Sequence, residues 1–138
     1  MSEKETIEVL LVAPGREPER IQIGQDLASM QKVVGGYIEE VMPFDEEVAV
    51  ICNEEGKLNS LKLNRALYNE NGEMIDIIAG SFFVCSAPFT SENFESLSEK
   101  QFAKYEELFR APEQFYRTAT GISAIKMYIP ETTQKERE

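Results

Sequence analysis

The chain has 138 residues, of which 42% are hydrophobic and 28% charged, and its net charge is −11. This length and balance predict one soluble domain, which we place at residues 1–130, followed by a disordered tail at 131–138 without apolar side chains. The sequence contains no histidine, which excludes Ser-His-Asp triads, Cys-His dyads and zinc sites with histidine ligands.

The apolar segments are too short for export or membrane insertion. The run at residues 9–13 is shorter than the core of a signal peptide, and no run approaches the roughly 18 residues of a membrane span. We therefore expect a cytoplasmic protein that does not contact membranes. Cys52 and Cys85 lie in apolar runs, which favours two buried free thiols over a disulfide, since a disulfide needs adjacent strands in register.

The negative charge is concentrated in the middle of the chain. Residues 33–99 contain thirteen acidic and three basic residues, and residues 39–55 contain seven acidic residues and no Lys or Arg. One interpretation is a solvated face that keeps the protein soluble. The other is an electronegative patch that binds a basic partner surface or imitates a nucleic-acid backbone. Direct binding to DNA or RNA is disfavoured, because it depends on Lys and Arg contacts to phosphates.

The first half of the chain predicts a hairpin, a helix and two further strands. Residues 6–13 and 19–23 are rich in β-branched residues and are separated by a turn at Pro14-Gly15. Apolar residues at helical spacing predict a helix at 25–34, which ends at Gly35 in the left-handed conformation. The next predicted elements are strands at 37–42 and 47–52 and a turn at 53–56.

The second half predicts a long strand and a well-defined helix. Residues 58–67 are ambiguous, with one helical turn suggested at 64–67. The apolar run at 74–85 predicts a central strand that Gly80 interrupts. A helix begins after Ser98, because Ser98 and Gln101 have the spacing of a capping box, and it ends before Pro112. An edge strand is suggested at 122–129.

These elements together predict an α+β fold. We expect a mostly antiparallel sheet with two helices packed on one face.

Polar side chains that could bind a ligand concentrate in a loop at residues 53–65. An Arg beside two Asn residues can recognise an amide, a base or a carboxylate. The alternative is that this segment forms only a hairpin turn. The candidate ligand-binding residues are Asn53, Glu54, Glu55, Asn64 and Arg65, together with Tyr37 beside the Gly35-Gly36 turn.

No residue is assigned a catalytic role, and we expect neither a cofactor nor a metal. Carboxylates that Mg²⁺ could use occur at residues 45–47 and at Asp76, but without the spacing of a known metal loop. Gly35-Gly36 lacks the surrounding pattern of a phosphate-binding loop.

Several strings in fixed order resemble those of an uncharacterised family, a domain of unknown function from Gram-positive bacteria, their phages and conjugative elements. The strings are LQxxVGGYIE, NEEGK, LxxNRA, an aspartate and a glycine in the next strand, and PExF. They fall on Met30-Gln31 and 34–39, on 53–57, on 61–66, on Asp76 and Gly80, and on 112–115. Met30 replaces the usual Leu, and the resemblance covers about residues 6–116.

The resemblance implies a context rather than a mechanism. Members of this family accompany mobile elements, which favours an accessory protein that acts on host machinery, for example as an anti-defence protein or a DNA mimic. Because the sequence lacks a catalytic set and its middle region is strongly acidic, our leading hypothesis is a non-enzymatic interaction module that binds an unknown protein partner with a basic surface. The alternative is a small-ligand or nucleotide-derivative binding protein, with or without weak hydrolytic activity, that uses the polar residues at 53–65.

Overall fold

A computed structural model describes residues 5–127. The predicted tail at 131–138 lies outside the described residues, and the single domain at 1–130 stays a prediction. Within residues 5–127 the chain forms these elements in order: β1 Thr6–Val12, β2 Glu19–Gly24, α1 Leu27–Val34, β3 Ile38–Val41, β4 Val48–Asn53, β5 Leu63–Tyr68, β6 Met74–Ala79, β7 Phe82–Ser86, α2 Glu99–Leu108, β8 Glu113–Thr118 and β9 Gly121–Lys126.

Five strands form a central antiparallel sheet in the order β2-β1-β7-β4-β3. The pairs β5–β6 and β8–β9 are separate antiparallel hairpins. The predicted α+β class with a mostly antiparallel sheet is confirmed. Strands β2 and β3 are the two edges of the central sheet.

The two helices cover opposite faces of the central sheet. Met30 and Val34 of α1 pack with one set of alternate strand residues, which includes Val9 and Phe83. Phe102, Tyr105 and the β5–β6 hairpin pack with the other set: Leu10, Val12, Val48, Val50, Cys52, Phe82 and Val84. In this respect the structure differs from the expectation that both helices share one face. The reason is that β4 is buried at every position, so both faces of the sheet are apolar and each needs a covering layer.

Two segments fold differently from their sequence-based predictions. The run at 74–85 divides into β6 and β7, which belong to different sheets, because Gly80 adopts a φ of +83° and turns the chain. Residues 64–67 belong to strand β5 rather than to a helical turn. The hairpin partner β6 supplies the hydrogen bonds that a helical turn would have made internally.

The predicted end of α1 and the predicted start of α2 are confirmed, whereas α1 begins at Leu27 rather than at residue 25. Gly35 ends α1 with a φ of +79°, and its N–H donates to the carbonyl of Gln31 over 2.8 Å. Ser98 and Gln101 form the capping box at the start of α2, with both reciprocal hydrogen bonds present. Cys52 and Cys85 are buried free thiols.

Candidate functional site

The turn that follows β4 borders a small acidic cavity. The cavity has a volume of about 230 Å³ and lies between the β3–β4 end of the sheet and β6. Its lining residues are Glu39, Cys52, Asn53, Glu54, Glu55, Gly56, Lys57, Leu58, Asp76, Ile77, Ile78 and Ala79. Three of the six predicted ligand-binding residues therefore lie here, and they are Asn53, Glu54 and Glu55.

Asn53 holds the turn against the end of α1. Its amide nitrogen donates to the carbonyl of Val34 over 3.1 Å, and its amide oxygen accepts the Glu55 N–H over 2.8 Å. A Cβ at Gly36 would lie 2.9 Å from the Asn53 amide nitrogen, so a side chain there would push this amide from its place. The hydrogen bonds of Asn53 therefore depend on the absence of a side chain at residue 36.

Asn64 and Arg65 do not reach the acidic cavity. Both are fully buried on β5. The Asn64 amide nitrogen donates to the carbonyls of Val12 and Gly80. The Arg65 guanidinium donates to the carbonyl of Phe109 through Nε and Nη2 and to the carbonyl of Arg16 through Nη2 over 2.6 Å. The structure thus commits these two side chains to internal hydrogen bonds.

Tyr37 does not line the acidic cavity, and 71% of its surface is exposed. Its carbonyl accepts the Glu54 N–H over 2.9 Å, which extends the pairing of β3 and β4 by one residue. The structure therefore does not bring the six predicted residues together in one site.

The acidic cavity holds four carboxylates and one ammonium group. Lys57 pairs with Asp76 over 2.7 Å, which leaves Glu39, Glu54 and Glu55 uncompensated within residues 5–127. Burial, followed by the nearby carboxylates of Glu39 and Asp76, raises the pKa of the Cys52 thiol to about 11. The thiol is therefore protonated at neutral pH and is a poor nucleophile.

The opposite face of β3 carries an apolar groove that the sequence analysis missed. The groove has a volume of about 420 Å³ and runs between β3, α1 and the loop that follows β7. Phe89 and Leu27 are 77% and 56% exposed at its border. Its lining residues are Gln25, Leu27, Met30, Ile38, Glu40, Met42, Ala87, Pro88, Phe89, Ser91, Glu92, Asn93 and Phe94. A signal was present in the sequence, because apolar residues at 88–94 occur between acidic and polar ones without strand or helix spacing.

Strand β3 thus separates the apolar groove, whose mainly apolar lining also includes Glu40 and Glu92, from an acidic cavity on the other face. Ile38 and Glu40 face the groove, and Glu39 faces the acidic cavity. Among residues 5–127, β4 is the only strand paired with β3. We refer to this strand and its two flanking cavities as the β3 edge.

A metal-ion cluster and a membrane-spanning helix are both absent from residues 5–127. Residues 5–127 contain no group of three or more Cys, Asp or Glu side chains placed to hold a metal ion. None of the helices in this range is long and apolar enough to cross a membrane.

Comparisons with known proteins identify the family of the chain. Neither the curated proteins nor the solved structures include a significant match. A family model described as a domain of unknown function, DUF3846, matches residues 7–110. The match confirms the predicted membership of an uncharacterised family. The range of organisms in that family stays a prediction. Because the match spans well over half of the sequence, the chain belongs to the DUF3846 family.

Proposed function

We propose that this protein is a small accessory module that binds a partner protein through a basic surface of that partner and catalyses no reaction itself. The observation that carries the proposal is the set of carboxylates around the β3 edge. Glu39, Glu40, Glu54 and Glu55 are all exposed, and none of them forms an ion pair within the described range.

Several carboxylates elsewhere in the protein are engaged internally. Glu46 accepts hydrogen bonds from Lys104 and Tyr105, and Arg20 binds both Glu99 and Glu106. The contrast supports a binding role for the β3 edge. Like charges left together without compensation destabilise the free protein, and a basic partner relieves their repulsion while gaining attraction over about a Debye length.

The resemblance to proteins of mobile elements narrows the class of partner. We infer that the partner is a host protein that itself binds nucleic acid. Such a protein has a surface rich in Lys and Arg that neutralises phosphates, and the carboxylates at the β3 edge would occupy the same surface. This is the DNA-mimic role, and blocking a host defence protein is one form of it.

Affinity capture with two matched variants tests the proposal. The edge triple replaces Glu40, Glu54 and Glu55 with Gln. The distal triple replaces Glu17, Glu19 and Glu70 with Gln, and so removes the same charge at the opposite edge of the sheet and in the β5–β6 turn. We expect the wild type and the distal triple to capture the same protein from a bacterial lysate, and the edge triple to lose it.

Salt and competitor DNA provide the remaining arms of the experiment. Raising the salt from about 0.1 M to about 1 M shortens the Debye length from about 10 Å to about 3 Å and should release the captured protein. An excess of a short DNA duplex should displace it as well. Capture that is equal for both triples, or that resists salt, would contradict the proposal. Resistance to DNA alone would remove the DNA-mimic role.

The small-ligand alternative has less support from the geometry. The acidic cavity is smaller than the roughly 300–1,000 Å³ of most ligand pockets. Arg65, the residue best suited to recognise an anionic or planar ligand, is buried elsewhere. A thermal-shift screen against nucleotides and dinucleotides tests this alternative, which requires a stabilising ligand whose effect is lost in Glu54→Gln.

A further inference from the structure

Strand β3 leaves backbone hydrogen-bonding groups open along one side. The Glu54 N–H donates to the Tyr37 carbonyl, and the register pairs Glu39 with Cys52 and Val41 with Val50. In an antiparallel pair, residues bonded to the partner strand alternate with residues whose N–H and C=O groups point away from it. Tyr37, Glu39 and Val41 therefore bond to β4, and Ile38 and Glu40 point their backbone groups outward.

The side chains around this open edge differ on its two faces. An added strand would send alternate side chains to opposite faces of the sheet. Those on one face would enter the groove beside Leu27, Met42 and Phe89, with the Glu40 carboxylate at its border. Those on the other face would meet the uncompensated carboxylates of Glu39 and Glu54.

We propose that the β3 edge binds an extended segment of a partner protein as a sixth strand of the central sheet, and that this segment alternates basic and apolar residues. The basic side chains lie on the acidic cavity and the apolar side chains fill the groove. This is strand addition, in which backbone hydrogen bonds give affinity and pockets for alternate side chains give specificity. The inference rests on the proposed function and specifies its site and mode of binding.

Charge selects this occupant over a second copy of the chain. Two β3 edges side by side would place Glu39 and Glu40 of one copy near those of the other, and like charges on neighbouring strands destabilise the pair. Acidic side chains on an edge strand are a common means of preventing self-pairing. The same side chains favour a basic strand.

Two edge variants separate the backbone contribution from the charge. Glu40→Gln removes the carboxylate and keeps the outward N–H, and Glu40→Pro removes both. Proline is tolerated where the N–H of an edge strand faces solvent. Gln22→Pro is the control at the other edge, because the Gln25 N–H bonds to the Glu5 carbonyl and the same alternation turns the Gln22 N–H outward.

The probe is a fluorescein-labelled peptide of about eight residues in which Lys and Val alternate. A second peptide has the same composition in two blocks, so that it cannot place Lys and Val on opposite faces. By fluorescence anisotropy we expect the alternating peptide to bind more tightly than the block peptide. We expect Glu40→Pro to bind it about fivefold or more weakly than Glu40→Gln does, and Gln22→Pro to bind as the wild type does.

Amide hydrogen exchange of the wild type tests the same point without any substitution. On addition of the alternating peptide, exchange at Ile38 and Glu40 should slow, and exchange at Gln22 should not change. Unchanged exchange at Ile38 and Glu40 would overturn the proposal. So would equal binding of the two peptides, or equal affinity of Glu40→Pro and Glu40→Gln. A dimer in analytical ultracentrifugation that Glu40→Pro dissociates would assign the edge to a second copy and overturn the proposed occupant.

These outcomes are independent of those that decide the proposed function. Loss of partner capture in the edge triple, together with equal affinities of Glu40→Pro and Glu40→Gln, would leave a charge-driven module without strand addition. Retention of capture in the edge triple would remove the proposed function itself.

Discussion

Arg65 shows how a residue suited to ligand binding can instead hold the fold. It is fully buried where α2 ends, and three of its hydrogen bonds go to the carbonyls of Phe109 and Arg16. Its positive charge also lies at the negative end of the α2 dipole. Burial lowers the pKa of Arg65, and the carboxylate of Glu113 opposes this. Even so, an arginine remains charged at any pH in which the protein folds.

We expect Arg65→Met to destabilise the protein by about 3 kcal/mol or more, because it leaves several buried carbonyl oxygens without a donor. Chemical denaturation followed by circular dichroism measures the loss. Arg65→Lys keeps the charge but cannot donate to both carbonyls, and it should fall between the wild type and Arg65→Met. If Arg65 served only a ligand, both variants would unfold at the wild-type denaturant concentration.

Gly36 and Asn53 allow a second test at the residue scale. Gly36→Ala should cost about 1–3 kcal/mol, because its methyl group would crowd the buried Asn53 amide. In Asn53→Ala the crowding is gone, so adding Gly36→Ala should cost much less. Gly35 is the matched control: a Cβ there meets no atom within 4 Å, and its φ of +79° makes Gly35→Ala costly in either background. Unfolding free energies of the four combinations measure the coupling, and additive losses at Gly36 would contradict it.

At the scale of elements, the sequence predicts correctly the helices and strands whose pattern depends only on neighbouring residues. The capping box at Ser98 and Gln101 needs only neighbouring residues, and α2 begins where it predicts. The split of 74–85 depended on tertiary pairing, since β6 pairs with the neighbouring β5, whereas β7 pairs with β1 and β4, which lie far away in the chain. Arg65 looks like a ligand-binding residue from its sequence neighbours alone. Its real hydrogen-bond acceptors, the carbonyls of Phe109 and Arg16, lie 44 and 49 residues away in the chain. Sequence spacing carries no sign of such contacts.

Helix α2 is also tied to the loop before β4 through Glu46. The Glu46 carboxylate accepts hydrogen bonds from Lys104 over 2.6 Å, from the hydroxyl of Tyr105 and from Gln101. Hydrogen bonds from Lys104 and then Tyr105 lower the pKa of Glu46 below its usual 4.5. The contact should therefore stabilise the protein when Glu46 is ionised.

A titration of stability tests this contact. Because the pKa of Glu46 is lower in the folded state, its contribution is present above the unfolded pKa and is lost as the pH falls through the folded value. Glu46→Gln should therefore lower the unfolding free energy near neutral pH, and its difference from the wild type should shrink in acid. Glu113 is the contrast, since burial raises its pKa and its contribution to stability increases as the pH falls. If Glu46→Gln lowered the unfolding free energy by the same amount at every pH, the contact would not depend on the ionised carboxylate.

At the scale of the whole molecule, the net charge of −11 is distributed unevenly. The carboxylates of Glu46, Glu99 and Glu106 are paired with Lys104 or Arg20. The glutamates at the β3 edge have no such partner within residues 5–127. If these carboxylates serve binding, they should therefore lower the free energy of unfolding of the protein without its partner.

The edge triple should be at least as stable as the wild type, because Gln at residues 40, 54 and 55 removes repulsion and breaks no ion pair. We expect its unfolding free energy to be unchanged or raised by about 0.5–1 kcal/mol at low salt, with the gain falling at high salt as screening weakens the repulsion in the wild type. Denaturant unfolding at both salt concentrations measures this, with the distal triple alongside. A loss of more than about 1 kcal/mol would mean that these carboxylates hold the fold. Failed capture by the edge triple would then reflect unfolding rather than the loss of a binding surface.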